Sequence, residues 1–204
     1  GDFTTHPCPE YFSLDLATTF ILQEALTVSG DGNALSVLKE RPETEPLPTR
    51  EFCPPMNLLL YLNRLNKFSF NALLGAAESL PFFDTLKIVM PPDPARLRQG
   101  VQAATSSNSG PAMVCFSFFT SQLWEIAELV RPLRETFGDR VLLVAGGPHP
   151  SGDPEGTLRL GFDLVVRGEG EETFPELLHC LHDGLDYRTI RGIAFLEPDG
   201  TCRD

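Results

Sequence analysis

Short apolar runs alternate with longer segments of helical spacing from residue 56 to the end of the chain. The runs are almost continuously apolar, which is typical of strands that are buried on both faces. We predict strands over 57–62, 86–90, 113–118, 141–145, 164–167 and 192–197, and helices over 69–80, 94–104, 121–137, 151–160 and 173–183. Because right-handed helical crossovers join parallel strands, this alternation predicts an α/β fold: a doubly wound parallel sheet with helices on both faces.

Residues 1–55 differ in composition from the rest of the chain. Apolar residues at helical spacing predict a helix over Leu14–Val28, and the proline-rich stretch over 41–55 is typical of a linker. The sequence therefore predicts two parts, an N-terminal extension over 1–55 and a compact domain over 56–204.

Charge and cysteine usage narrow the partners and the compartment. The chain carries 16 Lys and Arg against 28 Asp and Glu, a formal net charge of −12. An acidic surface repels phosphate backbones and anionic lipids, so we expect neither nucleic acid nor a membrane as partner. The apolar runs of the chain fall far short of the ~20 residues that a membrane-spanning helix needs. The five cysteines contain no C-x-x-C pair, and the first residues do not resemble a secretory signal, so we expect a cytoplasmic protein.

Ligands of an open parallel sheet bind at the carboxyl ends of its strands, so the turns after the predicted strands form the candidate site. Three of these turns are unusual. The third predicted strand is followed by hydroxyl residues, the fourth by two glycines and then prolines, and the fifth by glycines among carboxylates. The candidate residues are Ser117, Thr120 and Ser121, then Gly146, Gly147, Pro148 and His149, then Gly168, Glu169 and Gly170.

Each of these turns also has a purely structural interpretation. Thr120 or Ser121 can cap the following helix, and the glycines can serve a tight turn instead of the close approach of a large flat ligand. His149 fits a metal ligand, an acid or base, or an ordinary loop residue. Because no second histidine or carboxylate stands at ligand spacing, the loop residue is favoured and no metal site is predicted.

Nucleotide-binding motifs are missing from the same turns. The Gly-Glu-Gly-Glu run over 168–171 lacks the lysine and hydroxyl of a phosphate-binding loop, and the turn over 63–67 has no glycine for a dinucleotide fingerprint.

Three segments together resemble a known family: the Ser/Thr turn over 117–122, the segment Ala-Gly-Gly-Pro-His-Pro over 145–150, and the segment GFDLVVRGEGEETFPELL over 161–178. They are similar to the N-terminal cobalamin (B12)-binding domain of B12-dependent radical SAM enzymes. The resemblance extends from Met56 to about Gly200, and the segment over 190–200 resembles the sheet-edge strand with which that domain ends. It implies a flavodoxin-like, Rossmann-like sheet.

The resemblance implies a corrin ring over the carboxyl edge of the sheet, with its nucleotide tail buried between strand ends and helix. The ten candidate residues named above are then contacts of the cofactor. Cobalamin domains that coordinate cobalt through histidine carry D-x-H-x-x-G after the first strand, and this chain has Asn63-Arg-Leu-Asn-Lys there. The resemblance therefore implies base-off cobalamin without a histidine ligand, with His149 as a ring contact.

Radical SAM chemistry needs a C-x-x-x-C-x-x-C loop for a 4Fe–4S cluster, and this chain does not contain one. The cluster and S-adenosylmethionine are therefore expected in an adjoining radical SAM barrel, which we expect to follow in the natural protein. The resemblance implies a methyltransferase module that is catalytically incomplete as given.

Two other classes share this fold. A flavodoxin-like receiver domain needs an acidic pair after the first strand and an aspartate after the third, and neither turn holds an aspartate. A nucleotide-sugar-binding domain of a glycosyltransferase has a sheet of the same kind, so fold alone does not separate it from a cobalamin domain.

Overall fold

A computed structural model describes residues 56–106 and 111–204 of the chain. The predictions for residues 1–55, including the helix over Leu14–Val28 and the linker, lie outside these residues. The described strands are β1 (Asn57–Leu60), β2 (Lys87–Val89), β3 (Ala112–Ser117), β4 (Val141–Gly146), β5 (Leu164–Val166), β6 (Ile193–Leu196) and β7 (Cys202–Arg203). The described helices are α1 (Lys67–Ala77), α2 (Pro94–Thr105), α3 (Leu123–Phe137), α4 (Pro148–Gly152), α5 (Pro154–Arg159) and α6 (Thr173–His182).

The described strands form a sheet in the order β2-β1-β3-β4-β5-β6-β7. Strands β1 to β5 pair in parallel, whereas β6 is antiparallel to β5 and β7 is antiparallel to β6. The chain order reverses at β1, which has β2 on one side and β3 on the other. The predicted doubly wound sheet is confirmed, but it is mostly parallel and not wholly parallel, because β6 runs antiparallel to β5. The reversal at β1 places the crevice of such a sheet at its carboxyl edge.

Two hydrophobic layers enclose the sheet. On one face Phe70 of α1 and the group Phe174, Leu177 and Leu178 of α6 pack on the strands. On the other face the layer includes side chains from α2, α3 and α5, among them Leu97, Val130 and Leu158. Since both faces are covered, the central strands β1, β3 and β5 are buried along their whole length and β4 is buried up to Ala145, which explains their continuous apolar runs.

The end of the sheet differs from the prediction. The segment over 190–200 was expected to form the edge strand, but β7 pairs outside β6 through Phe195 with Arg203 and Leu196 with Cys202. A turn joins the two strands, in which the Gly200 N–H donates to the Glu197 carbonyl at 2.8 Å. A strand of two residues is too short to produce a recognisable apolar pattern, so the sequence did not reveal it.

The segment after β4 also differs. We predicted a single helix over 151–160, but the structure has two short helices here, α4 and α5, and α4 begins at Pro148. Proline suits the first position of a helix because its missing N–H has no partner there in any case. Asp153 separates the two helices and caps the second, since its Oδ1 accepts a hydrogen bond from the Gly156 N–H at 2.9 Å.

Candidate functional site

A cavity of about 380 Å³ opens at the carboxyl edge of the sheet, beneath α1 and α6. This volume is at the small end of the about 300–1,000 Å³ that is usual for ligand sites. The residues that line it are Leu65, Ser69, Phe70, Leu73, Cys115, Phe116, Ser117, Phe119, Val144, Ala145, Gly146, Gly147, Pro148, Ser151, Val166, Gly168, Glu169, Gly170, Glu171 and Phe174. A cavity of this volume suits a group of about nucleotide size, and a larger ligand would extend over its mouth.

The deep part of the cavity is apolar. Phe70, Cys115, Val144, Val166 and Phe174 line it and are all buried in the core of the domain. An apolar ring inserted here would lose its contact with water without leaving a buried polar group unpaired.

Burial raises the pKa of the Cys115 thiol, so this cysteine stays protonated in the folded protein. It contributes to the cavity as a small apolar side chain and not as a nucleophile or metal ligand. Among residues 56–106 and 111–204, no group of three or more His, Cys, Asp and Glu residues could hold a metal ion.

Cys115 is expected to resist alkylation in the folded chain because its thiol is both buried and protonated. Iodoacetamide at pH 8, followed by peptide mass spectrometry, should modify the half-buried Cys202 first and Cys115 only after urea is added. Modification of both cysteines at the same rate in the folded chain would contradict this prediction.

The two glycines after β4 have different structural requirements. Gly146 ends β4 and pairs with Ser117 of β3, and a Cβ at Gly146 would meet only the Val166 carbonyl oxygen at 3.6 Å. Gly147 has φ +96°, and a Cβ there would lie 2.9 Å from Ser117 Oγ and 3.0 Å from the Phe118 nitrogen. Only glycine therefore fits at 147, whereas at 146 the space is open to a ligand.

The turn after β5 forms the opposite wall. Gly168 and Gly170 have φ of +78° and +85°, which other residues rarely adopt. A Cβ at Gly168 would meet nothing within 4 Å, whereas at Gly170 it would meet Leu73 Cδ2 of α1 at 3.0 Å. The turn is attached to the β4 side because the Gly168 N–H donates to Ser151 Oγ at 3.1 Å.

Seven of the ten predicted site residues line this cavity: Ser117, Gly146, Gly147, Pro148, Gly168, Glu169 and Gly170. The remaining three, Thr120, Ser121 and His149, do not line it. Thr120 Oγ1 and His149 Nδ1 hydrogen-bond to each other at 3.1 Å, and the His149 ring lies 5.5 Å from that of Phe118. Neither Thr120 nor Ser121 caps α3, because both lie in a 3-10 turn over Thr120–Gln122 and the N-cap residue of α3 is Gln122, which makes no side-chain cap hydrogen bond.

Helix α1 supplies a wall of the site that the sequence analysis missed. Ser69 and Leu73 line the cavity and stand four residues apart on α1, which places them on one face of the helix, and Leu65 in the turn before α1 also lines the cavity. That spacing was the available signal. It was ambiguous because a face turned toward a ligand and a face turned toward the core have the same periodicity.

The buried amide of Asn66 fixes the position of this wall. Asn66 is 2% exposed, and its Nδ2 donates to the carbonyl oxygens of Tyr61 at 2.9 Å and Ser117 at 3.1 Å. Its Oδ1 accepts the Asn63 N–H at 2.8 Å. These bonds connect the ends of β1 and β3 to the start of α1, so the cavity has a defined width before any ligand enters.

Residues 90–178 match the family model described as B12 binding domain, and this range includes all three candidate turns and β3 to β5. The chain therefore contains a B12-binding domain, and the predicted recognition is confirmed.

No helix among the described residues is long and apolar enough to cross a membrane.

A curated relative, an uncharacterised methyltransferase of Pyrococcus horikoshii, is 32% identical over 147 residues, which are 71% of this chain and 28% of the relative. The radical S-adenosylmethionine methyltransferase TsrM of Kitasatospora setae, solved with cobalamin and a 4Fe–4S cluster, has a TM-score of 0.55 at 18% identity over 71% of this chain and 28% of its own. The cobalamin-dependent S-adenosylmethionine radical enzyme OxsB, solved with aqua-cobalamin, has the same TM-score and identity over 74% and 22%. The chain thus spans less than a third of each of these proteins, and the two structures establish a shared fold.

Proposed function

We propose that this chain is the cobalamin-binding module of a B12-dependent radical SAM enzyme that carries out methyl transfer. One observation carries the proposal: the cavity at the carboxyl edge of a B12-binding domain is lined by seven of the residues that its sequence predicts as corrinoid contacts. When bound, cobalamin supplies a cobalt centre that can carry a methyl group.

The residues of the cavity fit this cofactor in two parts. The apolar floor around Phe70 and Phe174 suits the aromatic base of a nucleotide tail, and its volume is too small for the corrin ring. Gly146 and Gly168 leave open space at the mouth, where a broad ring can approach the backbone. We therefore assign the tail to the cavity and the ring to the edge above it.

The proposed cofactor state is base-off without a histidine ligand. The turn between β1 and α1 holds asparagines instead of the histidine of D-x-H-x-x-G, and the Asn66 amide is already engaged by backbone groups. We retain Thr120, Ser121 and His149 as proposed contacts of the ring periphery, beside the cavity. An adjoining barrel that holds the 4Fe–4S cluster and S-adenosylmethionine is also part of the proposal, supported by the greater length of the relatives.

Cobalamin retention tests the proposal directly. The purified 204-residue chain, titrated with hydroxocobalamin and passed through gel filtration, should elute with one corrinoid per chain and a base-off absorption spectrum. Trp124 is the single tryptophan of the chain and is 76% exposed near this edge, so quenching of its fluorescence gives the affinity. A chain that is folded by circular dichroism and elutes without corrinoid would contradict the proposal.

A further inference from the structure

Ser151 lines the cavity although the sequence analysis did not select it. It lies on α4, three residues after Pro148, and residues three apart on a helix share a face. Pro148 also lines the cavity, whereas the intervening Pro150 is buried and His149 contacts Thr120. The start of α4 at Pro148 therefore turns Ser151 toward the site and His149 away from it.

The hydrogen bond of Ser151 leaves its proton available. Its Oγ accepts the Gly168 N–H at 3.1 Å, so the oxygen serves as an acceptor in this contact. A serine hydroxyl also carries one donor proton, and among the described residues the hydroxyl of Ser151 makes no hydrogen bond other than the one from Gly168. Because Ser151 is half-buried on the cavity wall, the free donor faces the space that the ligand would occupy.

We propose that Ser151 is a ligand-binding residue that donates a hydrogen bond to an acceptor on the nucleotide tail of the corrinoid, while its oxygen holds the Gly168 turn over the same cavity. This inference rests on the proposed function. Ser151 would then be a polar contact of the ligand, located between the apolar floor of the cavity and the carboxylates of Glu169 and Glu171 at the rim. Those carboxylates accept hydrogen bonds, so Ser151 supplies the complementary donor.

Replacement of the hydroxyl separates this role from a general structural one. Ser151→Ala should weaken cobalamin binding about five- to tenfold, the usual effect of one lost hydrogen bond. Ser151→Thr keeps the hydroxyl and should bind within about twofold of the unchanged chain. Ser79→Ala, at an exposed serine beyond the end of α1, is the matched control and should leave binding unchanged.

Cobinamide, a corrinoid that lacks the nucleotide tail, provides the second arm of the test. Ser151→Ala should weaken its binding to the full chain less than that of cobalamin, because cobinamide places nothing in the cavity and senses only the loss of support for the Gly168 turn. Equal weakening of cobinamide and cobalamin would overturn the proposal and leave only a structural role in holding the Gly168 turn. Unchanged cobalamin binding by a folded Ser151→Ala chain would also overturn it. Failure of the unchanged chain to bind cobalamin would instead refute the proposed function itself.

Discussion

Gly146→Leu is expected to weaken the binding of cobalamin to a chain that still folds. A side chain at 146 would enter the cavity, and its Cβ would make only an ordinary contact of 3.6 Å with the Val166 carbonyl oxygen. The ligand would then meet the added side chain where it now has open space. Overpacking costs about 1–3 kcal/mol, which corresponds to a loss of affinity of up to about 100-fold. Fluorescence titration of Trp124 with hydroxocobalamin measures this loss.

The matched control for this variant is Gly75→Leu. Gly75 is exposed on α1, and a Cβ there would meet nothing within 4 Å, so the leucine should leave the affinity unchanged. The neighbouring Gly147 is not suitable for the same test. Its φ of +96° and the close Phe118 backbone mean that any side chain would disturb folding together with binding. If Gly146→Leu binds cobalamin with unchanged affinity, the cofactor does not occupy this cavity.

Arg134→Ala is expected to lower the free energy of unfolding by about 2–4 kcal/mol. The guanidinium donates to the Gly138 carbonyl at 2.9 Å, to the Gly161 carbonyl at 3.1 Å and to Asp163 Oδ2 at 2.6 Å. Asp163 Oδ2 also accepts the Leu143 N–H at 2.7 Å. One side chain of α3 thus supports the turns before β4 and β5, and its loss leaves several partly buried acceptors without that donor. Urea unfolding followed by circular dichroism measures the change.

Arg131→Ala provides the comparison, since Arg131 is exposed on the same helix and its removal should change stability by less than about 0.5 kcal/mol. If both variants unfold at the same urea concentration, the hydrogen bonds of Arg134 do not stabilise the fold as described.

The order of strands and helices between residues 56 and 200 was predictable because burial on both faces of a parallel sheet produces continuous apolar runs. The two-residue strand β7 was not, because its pairing depends on the hairpin turn and on the exposed edge of β6. The helix start at Pro148 was also missed. A proline preceded by two glycines suggests a turn, and only the structure shows that the turn is already helical, with the Ser151 N–H donating to the Gly147 carbonyl at 3.1 Å.

The residues of the candidate site were predictable only in part. Glycines directly after strands mark the places where backbone approaches a ligand, and seven of the ten predicted residues line the cavity. The helical start at Pro148 explains why His149 is not among them, since each residue of a helix is rotated by about 100° from the one before it. If residues 146–150 are taken as a loop, all of their side chains can be expected to face the ligand.

Local periodicity and the positions of glycine and proline were enough to predict the sheet, its helical covering and the turns that line the candidate site. Only the tertiary structure determined the wall from Leu65 to Leu73, the bridge of Asn66 between β1 and β3, and the position of Ser151 beside Gly168. These features join segments that lie tens of residues apart. Their side chains meet because the parallel crossovers bring the carboxyl ends of β1, β3, β4 and β5 to one edge, and no local pattern records that contact.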